Sequence, residues 1–243
     1  MTRNTNARVA GFAYLLYIGA AFPSMVLSAR ATSGEGMAAK LATMAQHASD
    51  VRFAAVLGLI GCFCALILAV TLYAITRDED HDLALLGLTC RVAEGITGAV
   101  SIPATFGLLS LATATSADAP DAAAVQAVTA FVIRQPSIVG ATFFGVGSTL
   151  FAWLLLRGRM IPVGLAWLGV VASVIVTGGL FLQMAGVLRG LATQIIWIPM
   201  AAFEIPLGLW FIVRGVAPVR RRQEALSDHN ESGCWANADS RSA

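Results

Sequence analysis

Ionised side chains in this chain are gathered into short clusters, and six long apolar stretches lie between them. The stretches fall near residues 9–29, 53–76, 83–111, 137–156, 162–182 and 194–213. A bilayer core of about 30 Å needs about 20 apolar residues in a helix, and each stretch is long enough to cross it. Soluble domains carry about 25% charged residues. This chain carries 12% charged and 57% hydrophobic residues, too few charges to coat a water-soluble globule of its size. The expected fold is all-α: a polytopic transmembrane helix bundle of about six spans, with the lipid bilayer as its first partner. Residues 1–216 form the expected membrane domain, and residues 217–243 a polar, disordered tail, since they show no periodic apolar face. Pro23, Pro103, Pro199 and Pro206 fall inside the apolar stretches. In lipid, neighbouring helices can satisfy the backbone groups that a proline frees. Glycines are dense at Gly58 and Gly61 and at Gly140, Gly145 and Gly147, where helix backbones are expected to approach closely.

The first stretch is read as a retained span. Its apolar run covers positions 9–29, longer than the 7–15 residues of a signal-peptide core. With the N-terminus inside, the inner side collects Arg3, Arg8, Arg77, Arg157, Arg159, Arg214, Arg220, Arg221 and Arg222. The outer side collects Arg30, Lys40, Arg52, Arg134 and Arg189. The excess predicts cytoplasmic termini in the inner membrane of a bacterium. Tyr73, Trp153 and Trp210 each precede an inner arginine by four residues, as interfacial anchors do.

Between the first two spans, Met37, Leu41, Met44 and Ala48 recur on one helical face, which predicts a short amphipathic helix on the outer surface. Asp50 is then expected as the N-cap of the second span. A second outer helix is expected over 122–133. The inner loop Asp78-Glu-Asp-His-Asp82 reads as a solvated turn, because consecutive residues of a short loop rarely converge on one ion.

Three charges lie within spans: Arg91, Glu94 and Glu204. Each costs about 2.5–3.5 kcal/mol at the bilayer centre on insertion scales, so such groups face the bundle interior and find partners. Arg91 and Glu94 share a helix face at i, i+3. Counted from the inner surface, Arg91 lies about 12 Å deep, Glu94 about 16 Å and Glu204 about 15 Å. A buried cluster joining the third and sixth spans is therefore expected. One reading is a mid-membrane site for a proton or a small ligand, with Glu204 foremost because Pro199 and Pro206 flank it. The other is an ion pair that fixes helix register.

The function classes left open are two. One is a non-catalytic module: a small transporter, sensor or accessory subunit. The other is a membrane-embedded enzyme acting on a lipid or quinone. The first is favoured, because no nucleophile elbow, His-Glu-x-x-His helix or glycine-rich nucleotide loop appears. No cofactor and no metal is expected. Cys62, Cys64, Cys90 and Cys234 lack metal spacing and read as plain thiols, and His47 and His229 as exposed. A net charge of +2 without a basic stripe gives no footing for nucleic acid.

Several motifs, in this order, resemble one family. They are Ala7-Arg-Val-Ala-Gly-Phe-Ala-Tyr14-Leu15-Leu16, Leu72-Tyr73 and Arg91-Val-Ala-Glu94. Arg157-Gly-Arg-Met-Ile-Pro162 with Ala166-Trp-Leu-Gly169 follows, then Glu204 with Gly208-Leu-Trp210 and Gly215. Over about residues 7–216 the chain resembles the bacterial multi-pass membrane proteins grouped as the domain of unknown function 4386 family. It departs from them in an alanine-rich outer loop and in the Arg157-Gly-Arg turn. The resemblance implies a six-helix membrane protein and no particular activity.

Overall fold

The computed structural model describes residues 2–113, 127, 129 and 138–217. The expected 122–133 helix apart from 127 and 129, Arg134, the tail arginines, His229 and Cys234 lie outside the described residues. The helices are α1 (Arg3–Ala31), α2 (Gly36–Gln46), α3 (Ala48–Thr76), α4 (His81–Thr113), α5 (Ile138–Arg157), α6 (Val163–Met184), α7 (Ala192–Ile195) and α8 (Ile198–Val213). Six segments, the last running from Ala192 to Val213, are long and apolar enough to cross a membrane. The described chain contains no strand. The protein is a multi-pass, all-α integral membrane protein.

Local chemistry sets the helix ends. Thr2 caps α1, its Oγ1 accepting from the Thr5 amide at 3.2 Å. Asp80 does the same for α4, accepting from the Leu83 amide at 3.2 Å. α5 closes with bonds from the Arg159 amide to the Leu156 carbonyl and from the Met160 amide to the Leu155 carbonyl. That closure needs a left-handed residue, and Arg159 supplies it at φ 49°. Pro199 falls in the first turn of α8, where a missing amide costs no helical bond. Upstream of it the helix breaks at Ile196–Trp197, so the last span is not one continuous helix.

The six long segments close into a ring. Each of α1, α3, α4, α5 and α6 packs on the next in that order, and α8 packs on both α6 and α1. Glycines set several of these crossings. A Cβ on Gly11 would stand 2.6 Å from the Gly208 carbonyl oxygen, and one on Gly169 would stand 2.4 Å from the Phe203 ring. Gly140, Gly145 and Gly147 likewise sit at close approaches, as expected, whereas Gly58 meets nothing within 4 Å. Gly58 lies where no helix packs.

Outward faces stay apolar. Phe63, Val70, Val100, Val174 and Leu209 are each half or more exposed. Soluble monomers do not expose apolar surface on that scale, and lipid is the solvent it suits. α2 forms where the apolar face predicted it, but it does more than float on the surface. Met44 is buried with Ala31 of α1, Val51 of α3 and Leu108 and Leu109 of α4. Ala48 belongs to α3, not to α2. Asp50 is not the N-cap: α3 begins two residues earlier, after His47, and Asp50 pairs with His47 at 3.3 Å within the first turn.

At the opposite end, Arg3 donates to the Ile75 carbonyl at 2.6 Å, and Asn4 accepts from the Val216 amide at 3.3 Å. The loop Asp78–Asp82 is not merely a solvated turn. Arg157 reaches across from the next turn at this end to Glu79 at 3.1 Å and Asp80 at 3.3 Å.

Candidate functional site

Large side chains meet inside the ring about midway along the helices. Taking 1.5 Å per residue, Tyr17 lies about 21 Å from the start of α1, and Glu94 about 20 Å from the start of α4. Glu204 lies about 14 Å from the end of α8. The i, i+3 spacing puts Arg91 and Glu94 side by side, with Arg91 Nη1 2.8 Å from Glu94 Oε2. Glu94 Oε1 also accepts from the Tyr17 hydroxyl at 2.8 Å. The carboxylate thus ties α4 to α1.

Aromatic faces enclose the cation. The Arg91 guanidinium carbon lies 4.9 Å from the Phe144 ring centre and 5.8 Å from that of Tyr17. A ring's negative face attracts a cation most strongly where water is excluded. Tyr17 and Phe144 lie parallel to within 3°, and Trp197, at the break before α8, leans on Phe144 at 5.7 Å. Gly147 makes room for the arginine stem: a Cβ there would stand 3.2 Å from Arg91 Cγ and Cδ. Arg91 is 1% exposed.

Yet the guanidinium is not satisfied. Its nearest contact with Glu94 is close but misaligned, and none of Nε, Nη1 or Nη2 has a hydrogen-bond acceptor among the described residues. Glu94 Oε2 shares that ion pair without an aligned hydrogen bond, and Ser148 Oγ and Glu204 Oε1 are buried with no hydrogen-bond partner among those residues. Ser148 lies one turn from Phe144 on the same inward face of α5 and next to Gly147.

The structure brings two of the three expected charges into contact and leaves the third apart. Glu204 is 5% exposed and within electrostatic range of Tyr14, Arg91 and Glu94. It makes no salt bridge with Arg91 among the described residues. Pro206 does not open a site beside it, because Pro206 is exposed on the other side of α8. The sequence reading missed Tyr14, Tyr17, Phe144, Ser148 and Trp197. Tyr17 had a usable signal: a hydroxyl in an apolar run at the depth of Glu94. Phe144 and Trp197 had none, since aromatics are common in spans.

A family model described as Domain of unknown function (DUF4386) matches residues 9–215. That range holds five spans whole, the first from its seventh residue on, and every residue of the site. The chain belongs to the DUF4386 family. No curated protein and no solved structure matches it. The resemblance seen in the motifs is therefore a membership, and the chemistry of this DUF4386 chain has to be argued from its own residues.

Proposed function

We propose that this protein is a non-catalytic membrane module, a small transporter, sensor or accessory subunit, that binds a proton or a small polar ligand at Arg91, Glu94 and Glu204. One observation carries the reading: buried donors and acceptors with unused capacity face the same interior. Arg91 has five N–H donors and lies 1% exposed, with no aligned acceptor among the described residues. An ion pair kept only for helix register would be expected to satisfy its own partners, because each unmet buried polar group costs about 1–3 kcal/mol. Unused capacity of this kind supports a site that takes up something else.

The rival enzyme reading has less support. An enzyme acting on a lipid or quinone needs an opening of headgroup size beside its charged residue. Arg91 is instead enclosed by Tyr17, Phe144 and Gly147.

The same proposal sets both termini in the cytoplasm of a bacterium, with the protein in its inner membrane. Arg3, Arg8, Arg77, Arg157, Arg159 and Arg214 gather at one end of the ring, and Arg30, Lys40, Arg52 and Arg189 at the other. The richer end is the cytoplasmic one by the positive-inside rule.

Ser148→Cys in a cysteine-free background tests the site. Membrane vesicles of both orientations are treated with an impermeant thiosulfonate reagent. A working site is expected to be labelled from at least one side, because a ligand must reach it through water. Complete protection from both sides, in protein that remains folded, overturns the small-ligand form of the reading and leaves only the proton.

A further inference from the structure

We infer that Glu204 is the group of this site that exchanges a proton with water, while Arg91, Glu94 and Tyr17 form a fixed, internally balanced group beside it. The inference rests on the proposed binding role and names its ligand. It follows from charge balance and from how unevenly the partners are shared. Among the described residues the spans bury one guanidinium and two carboxyl groups. With all three ionised the interior carries one uncompensated negative charge, which low-dielectric surroundings penalise heavily.

Glu94 already has its partners, the Arg91 guanidinium at 2.8 Å and the Tyr17 hydroxyl at 2.8 Å. Glu204 has neither. Its Oε1 is buried with no donor among the described residues. No element packed on α8 supplies a free compensating cation at the level of Glu204 among the described residues. α1 presents Tyr14 and Tyr17, and α4 presents Arg91 and Glu94 from across the ring. α6 has no titratable residue along its length and offers Gly169 to the Phe203 ring. Arg91 is therefore the sole cation in range among the described residues, and it lies against Glu94.

The missing unit of positive charge has to come and go with the ligand. A metal ion would need several oxygen ligands converging on it. Glu204 offers one carboxylate, and the carbonyl that Pro206 frees belongs to Ala202, an exposed residue of α8. A proton needs only a single oxygen. The step balances simply: hydronium gives its proton to a Glu204 carboxylate oxygen, leaving water and a neutral carboxyl, and release is the reverse. No electron moves. Gly11 and Gly208 hold α1 against α8 one turn from Glu204, and the Phe144–Trp197 pair covers the site on the other side.

Infrared difference spectra of the protein in liposomes, taken on acidification, test this directly. The wild type is expected to gain the C=O stretch of a buried neutral carboxyl, shifted down in heavy water. Glu204→Gln is expected to lack that band, and Glu204→Asp to move it. The amide bands of each variant report whether it has folded, and Glu204→Asp serves if Glu204→Gln has not. Persistence of the band in Glu204→Gln overturns the assignment. So does a carboxylate band that responds to replacing sodium by choline at fixed pH. If no buried carboxyl titrates while Ser148→Cys is still labelled, the proton falls and a small polar ligand stands. If both fail, the site itself falls.

Discussion

Arg91 can lie mid-membrane only because its surroundings are cut to its shape. Gly147 leaves space for the stem, Phe144 and Tyr17 face the guanidinium, and Glu94 meets its charge. Glu94→Ala leaves a buried cation alone and is expected to cost about 3–5 kcal/mol. Tyr17→Phe removes one donor to Glu94 and is expected to cost about 0.6 kcal/mol, the average for hydrogen bonds between membrane helices. Thermal unfolding in detergent measures both. Gly147→Ala presses on Arg91 and Cys90 at 3.2 Å and is expected to destabilise by about 1–3 kcal/mol. Gly58→Ala is the control. It meets open space, and the better helix propensity of alanine is expected to add up to about 1 kcal/mol. At this scale the sequence showed which charges were costly, because an arginine or glutamate inside a span stands out. It did not show which would touch. Depth along a helix fixes one coordinate only, so three charges at one level need not share a contact. Glu204 faces Tyr14, and Glu94 faces Tyr17.

The elements differ in how well composition exposes them. The six spans were legible because about 20 apolar residues in lipid have no other regular option than a helix. α2 was legible from its apolar face, but its docking was not, since Leu108 and Leu109 belong to a helix far away in sequence. The cross-link from Arg157 to Glu79 and Asp80 was hidden for the same reason: it joins two turns 77 residues apart. Arg157 is 41% exposed at its side chain, so solvent screens the pair. Arg157→Ala is expected to cost under about 1 kcal/mol. The break ahead of Pro199 has more consequence, because it lets Trp197 turn inward onto Phe144. Trp197→Ala is expected to speed labelling of Ser148→Cys from the outer side and leave labelling from the inner side unchanged.

As a whole the molecule is a ring of helices, apolar outside, with its charges drawn to the middle and the two ends. Neither the order of packing around the ring nor the return of α8 to α1 was visible in the sequence. Both depend on close approaches such as Gly11 against Gly208, and one apolar span looks like another. The distribution of arginine predicts orientation. A fluorescent-protein fusion after Ala217 is expected to be bright, and an alkaline phosphatase inserted at Gly34 active; the reverse pattern would invert the topology.

The polar site of a membrane-embedded ring has to lie at the depth of lipid tails. A nitroxide at Ile96 reads this most directly. Ile96 is 55% exposed and only two residues beyond Glu94, so it reports the same depth from the outer face of the ring. In liposomes its collisions with dissolved oxygen are expected to far exceed those with a water-soluble nickel chelate, as at the bilayer centre. Frequent collisions with the chelate would place that level in water and contradict the account.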